Sequence, residues 1–122
     1  LFGITTSIPD YLADFGLNMD GVENAESVPT SADEIAETFK KVSSNAAQMI
    51  EQQWTDESLK QVQDAFGRKQ SNASIIMELI KHIVHHRGQV TVLIRQAGLK
   101  VPGVYGPAWE QWREMGLEAP EI

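Results

Sequence analysis

Apolar side chains recur at Ile35, Phe39, Val42, Ala46, Ile50 and Trp54, in steps of four and three. That spacing makes one stripe of an amphipathic helix ending near Gln53. Its start is marked by "SADE" from Ser31, which has the S-x-x-E form of a capping box: Ser31 bonds into the first turn and Glu34 reaches back. A second long helix is predicted from about Asn72 to Ala97, stopped by Gly98 and by Pro102. At the front, "TTSIPDYLADFGL" reads as a helix of about a dozen residues that begins or kinks at Pro9. "GVENAESVPT" after it is loop. Thr55 to Phe66 is a polar connector anchored by Leu59, Val62 and Phe66, with room for one short helix, and Gly67 closes it. The tail "VPGVYGPAWEQW" is turn-rich up to Pro107, and Ala108 to Met115 then forms a short helix carrying Trp109 and Trp112. No segment shows sustained strand alternation, and no internal repeat is seen. The predicted class is all-α, in one domain over residues 1–122.

Composition narrows the function. The chain has 122 residues, 42% hydrophobic and 22% charged, as a globular domain does. A net charge of −7 argues against nucleic-acid binding and against an anionic membrane surface. No apolar run approaches the roughly 20 residues of a membrane span, and the N-terminus has no signal-peptide pattern. There is no cysteine, hence no disulfide, thiolate ligand or protein thiol nucleophile, which fits a reducing cytoplasm. The chain begins at Leu1 rather than Met, so a segment upstream of Leu1 is an open expectation.

All three histidines, His82, His85 and His86, fall in "KHIVHHRGQV". At about 100° per residue, His86 falls within the apolar stripe of Ile75, Leu79, Val90 and Leu93, and His82 at its border. His85 lies about 60° to the other side, near Glu78 and Gln96, and reads as peripheral. The i, i+4 spacing of His82 and His86 puts two imidazoles on consecutive turns, close enough to share one cation such as zinc or nickel. Two histidines alone make a weak site. The bland alternative is a half-buried core histidine bonded to a neighbour, with no metal.

"HIVHHRGQVTVLIRQAGLKVPGVYGPAWEQW" resembles the C-terminal signature of the DinB-like family, an H-x-x-x-H-R-[GA]-Q helix followed by a G-x-x-V-P-x-x-Y-G-P loop. The matching residues are His82, His86, Arg87, Gly88, Gln89, Leu93, Arg95, Gly98, Val101, Pro102, Tyr105, Gly106 and Pro107. The resemblance implies an up-down-down-up four-helix bundle, often a homodimer, with a divalent metal held by three histidines. Two of these map onto His82 and His86. It also implies thiol-dependent chemistry: some relatives transfer low-molecular-weight thiols to electrophilic small molecules, and some isomerise maleylpyruvate with mycothiol.

Two departures stand out. Only three long helical segments are found, matching the family's helices two to four, so its first helix is absent or supplied upstream of Leu1. No histidine lies outside residues 82–86, and Ile4 stands where the family's third histidine is expected. Asp10 or Asp14 could substitute only by facing His82 and His86.

A working site would take its thiol from a cosubstrate, since the protein has none, for a metal-dependent S-transferase or hydrolase-like enzyme. Gln89, about 20° from His82, would orient substrate or water, or simply bond across the bundle. Arg87 projects away from the pair and would cap or salt-bridge a partner helix. Tyr105 would wall the site or pack. Trp109 and Trp112 would dock the last helix, and Trp54 would be core. Two competing readings lack the metal. One is a helical interaction module whose exposed apolar face is covered by dimerisation. The other is a small-ligand carrier.

Overall fold

In a computed structural model that describes residues 1–121, the elements run α1 (Phe2–Ala13), α2 (Ala32–Gln53), α3 (Asp56–Lys60), β1 (Val62–Ala65), β2 (Arg68–Ser71), α4 (Asn72–Gln96) and α5 (Trp109–Glu114). The chain divides into two compact units, Leu1–Val84 and His85–Ile122. The fold is mostly helical, as the periodicity predicts.

In the first unit, α1 contains Pro9 within the helix rather than starting at it. Proline brings no N–H to the helical ladder. Around that gap, Thr5, Thr6 and Ser7 each turn a hydroxyl back onto a carbonyl of the preceding turn, Leu1, Gly3 and Ile4 respectively. Such back-bonding bends helices, and the turn still buries Phe2, Thr5, Ile8, Pro9 and Leu12 on one side. The helix closes with Leu17 N–H bonding Leu12 O and Gly16 N–H bonding Ala13 O, the paired bonds of a Schellman end.

Ile8, Leu12 and Leu17 pack with Val42 and Ala46 of α2 to make the main core, and Ile76, Leu79 and Ile83 of α4 lie against it. The α2 stripe is thus found where its spacing puts it. Only half of the expected capping box forms: Ser31 Oγ accepts from Glu34 N–H at 3.4 Å. The reciprocal box occurs instead on α3, between Thr55 and Ser58. Gln53 at the end of α2 clamps the backbone of Asn18 from both sides, donating to its carbonyl at 2.8 Å and accepting from its N–H at 3.1 Å.

The connector departs from the all-α expectation. Residues 62–71 form an antiparallel hairpin, with Ala65 opposite Arg68 across a two-residue turn. Phe66 and Gly67 both take positive φ, 52° and 75°, the backbone of the tightest hairpin turns. Strand alternation is nearly invisible in "VQDA" and "RKQS" because only Ala65 and Gln70 are buried. A second small core of Phe15, Ala65 and Ile75 fixes the hairpin. Phe66, though 70% exposed, stacks on the Tyr11 ring with centroids 5.9 Å apart and an interplanar angle of 26°. Asn72, fully buried where the hairpin enters α4, donates to Ser58 O at 2.9 Å and accepts from the Gln63 amide. Tyr11 donates its hydroxyl to Ile75 O at 3.2 Å. Burial, helped by the negative charge of Glu78, raises its pKa above the ordinary value.

In the second unit, α4 ends as expected at Gly98, whose φ of 74° lets Leu99 N–H reach Ile94 O. The loop that follows has one close packing point. A Cβ at Gly103 would come 2.6 Å from Gly106 O and would also strike the Gln111 side chain. That side chain accepts from Ala108 N–H at 2.7 Å, at the start of α5. Arg95 and Glu110 form a two-pronged ion pair that holds α5 to the end of α4. Trp109 does not dock as a buried anchor; it is 44% exposed, with the Arg113 guanidinium 4.8 Å above its ring.

Candidate functional site

The H-x-x-x-H residues stand on α4, which runs without a break from Asn72 to Gln96. His82 and His85 are exposed and His86 is half-buried. Of the apolar stripe expected to bury His86, Leu79 and Val90 are half-buried while Leu93, two turns further on, is 62% exposed. Helical angle tells which residues share a face; it does not tell what packs on that face.

Gln89 stands between two imidazoles. His86 Nδ1 lies 2.8 Å from Gln89 Oε1, and Gln89 Nε2 lies 3.1 Å from His85 Nε2. The His85 and His86 rings meet edge-on at 5.2 Å. His85, read as peripheral, is therefore tied to His86 through one amide. The signal was present in the sequence, because residues 85, 86 and 89 are separated by helical steps of three and four.

Among the described residues Arg87 forms no ion pair. Its guanidinium lies 4.9 Å over the ring of Tyr105, which is 84% exposed and so is not a packed anchor. Helix geometry alone had no access to this contact with a loop residue. Ile4 is partly buried, and Asp10 and Asp14 are exposed on and just after α1. Among the described residues no three His, Cys, Asp or Glu side chains gather as a metal-binding group. Two imidazoles one turn apart suit a divalent cation as part of a ligand set, and the donors beyond them are not side chains of those types gathered here. No helix among the described residues is long and apolar enough to cross a membrane.

The fold and the histidine helix together define a DinB-like helical protein. The DinB family model matches residues 1–120, and the chain belongs to the DinB family. It is 46% identical to a DinB-like protein from Bacillus cereus ATCC 10987 of known crystal structure, with a TM-score of 0.77 over 85% of this chain and 69% of that one. It is also 50% identical over 95 residues to the uncharacterized protein YrdA of Bacillus subtilis strain 168. That stretch is 78% of this chain and 57% of YrdA, so the chain spans little more than half the length of this relative.

Proposed function

We propose that His82 and His86 are two imidazole ligands of a divalent cation, zinc or nickel, in a thiol S-transferase. The observation that carries this reading is the unbroken α4, which keeps residues 82 and 86 one turn apart on a continuous helix. When bound, the cation supplies Lewis acidity that favours thiolate near neutral pH. The protein's part is to hold the two neutral imidazoles in register. It contributes no thiol of its own, so the nucleophile comes from a low-molecular-weight thiol cosubstrate and its acceptor is an electrophilic small molecule. The lack of cysteine suits work in a reducing cytoplasm.

Metal content by mass spectrometry tests this, on untagged protein purified without chelator beside a His86→Ala control. About one equivalent per chain, lost in the control, supports the site. No uptake even from excess cation sinks it.

A second reading has its own support. Met77, Ile80, Val92 and Leu93 leave α4 with large apolar side chains exposed. A helical interaction module, formed as a homodimer, would cover them. Light scattering separates the cases: a monomer at micromolar concentration argues against the dimer.

A further inference from the structure

The structure assigns to Arg87 and Tyr105 a binding site for a small organic carboxylate that carries an apolar body. The chain has 17 acidic residues against 10 lysines and arginines, so its cations have carboxylates in plenty to pair with. In the second unit Arg95 pairs with Glu110, and Lys100 with Glu114. Arg87 is half-buried and, among the described residues, takes no carboxylate. Its guanidinium is held 4.9 Å over the Tyr105 ring instead. A cation on a ring face is fixed through its charge. Its N–H groups lie in the guanidinium plane as a fork that matches the two oxygens of a carboxylate. Arg113 over Trp109 makes a similar contact, but it is exposed, and Glu118 and Glu121 line the hollow beside it. Those two carboxylates repel an acid there.

Tyr105 is open to solvent, so a ligand can reach it. The same residue lines a hollow of about 500 Å³ with Val104, Pro107 and Met115, within the size range of small-molecule sites. Val104 and Met115 are both more than half exposed and offer apolar surface. Glu114 also lines the hollow, and its carboxylate is engaged by Lys100 at 3.8 Å. The loop that presents the ring is stiffened on either side of it. Gly103 packs against Gly106 O with no room for a Cβ, and Gln111 accepts from Ala108 N–H at 2.7 Å. The head of the acid therefore meets the fork of Arg87, and its body lies along Tyr105 toward the hollow. This site does not rest on the proposed cation, and its test is run without metal so that the two stand or fall separately.

The experiment uses the full chain labelled with 15N, in buffer containing a chelator. It is titrated at millimolar concentrations with hexanoate, with the neutral isostere hexanamide and with hexyl phosphate. Hexanoate should shift the Arg87 side-chain N–H signal and the amides of residues 103–106 to saturation, and hexanamide should not. Arg87→Gln should weaken hexanoate about 10- to 100-fold. Arg87→Lys should weaken it nearly as far, since a point charge replaces the fork. Tyr105→Leu should weaken it too, while Arg113→Gln, at the other stacked arginine, should leave it unchanged. If Arg87 only tethers the loop, Arg87→Gln alters the signals of residues 99–108 and no protein binds hexanoate, which overturns the assignment. Equal binding of hexanoate and hexanamide overturns it as well. Tighter binding of hexyl phosphate does the same, by making this a phosphate site. The comparison of acid with amide is made on the unmodified protein, so it does not depend on any variant folding.

Discussion

Each of the two units of the chain is stabilised internally by different forces. In Leu1–Val84, Leu12, Leu17 and Ile75 are wholly buried, and the buried polar groups Thr5, Gln70 and Asn72 have hydrogen-bond partners. Among the described residues from His85 onward no side chain is buried. Apolar residues there are at most half-buried, and the polar and ring contacts include Gln89 with two histidines, Arg87 on Tyr105, Arg95 with Glu110, and Arg113 on Trp109. Burial of apolar area is the main source of folding free energy, and exposed ion pairs add little. The first unit therefore carries the stability and the second carries most of the family signature.

The sharpest way to break this contrast is a matched pair of truncations. Leu12→Ala should cost about 2–5 kcal/mol of unfolding free energy, read as a lower urea midpoint. Leu93→Ala, 62% exposed in the second unit, should stay within about 0.5 kcal/mol. Equal losses would mean the second unit has a core after all. Next in size, Asn72→Leu leaves Ser58 O and the Gln63 amide without their buried partner and should cost about 1–3 kcal/mol. An unchanged midpoint would show that this buried network is energetically idle.

Gly103→Ala sharpens the view of the second unit. A methyl 2.6 Å from Gly106 O forces the loop apart at a cost of about 1–3 kcal/mol. The expected sign is faster proteolysis within residues 99–108, while the exchange protection of Ile75 is unaltered. The smallest effect is electrostatic. Hydrogen bonding from Arg95 holds the Glu110 carboxyl below its ordinary pKa. Because the folded value is the lower one, the contribution is present above the ordinary carboxylate range and fades as pH falls through the lowered value. Amide exchange in α5 should accelerate over that acidic interval, and Glu110→Gln should remove the pH dependence.

How much of this was legible depended on how far apart the cooperating residues lie. The α2 stripe and the Gly98 stop depend on neighbours within a few positions, and the sequence displays them directly; it left open whether the first helix begins or kinks at Pro9, which lies inside α1. The hairpin does not show, because its strands bury Ala65 and Gln70 while Val62 and Phe66 stay exposed, and its turn uses Phe-Gly instead of the usual Asn-Gly. Within the site, the histidine helix was readable from spacing. The Arg87–Tyr105 contact was not, since it joins a helix to a loop residue 18 positions later.

Phe66 bears on the order in which the protein assembles. Its backbone sits in the left-handed region, which disfavours a side chain of its size, while its ring is held by Tyr11 and lies 6.1 Å from Phe15. Side chain and backbone ask for different things at this position, a small instance of local frustration. An isolated hairpin with strands of four residues is marginal even with an ideal turn. This one has little reason to close until α1 and the turn after it have delivered the rings of Tyr11 and Phe15. Residues 62–71 should accordingly belong to the late part of the folding reaction, after the helices that the periodicity makes easiest to form.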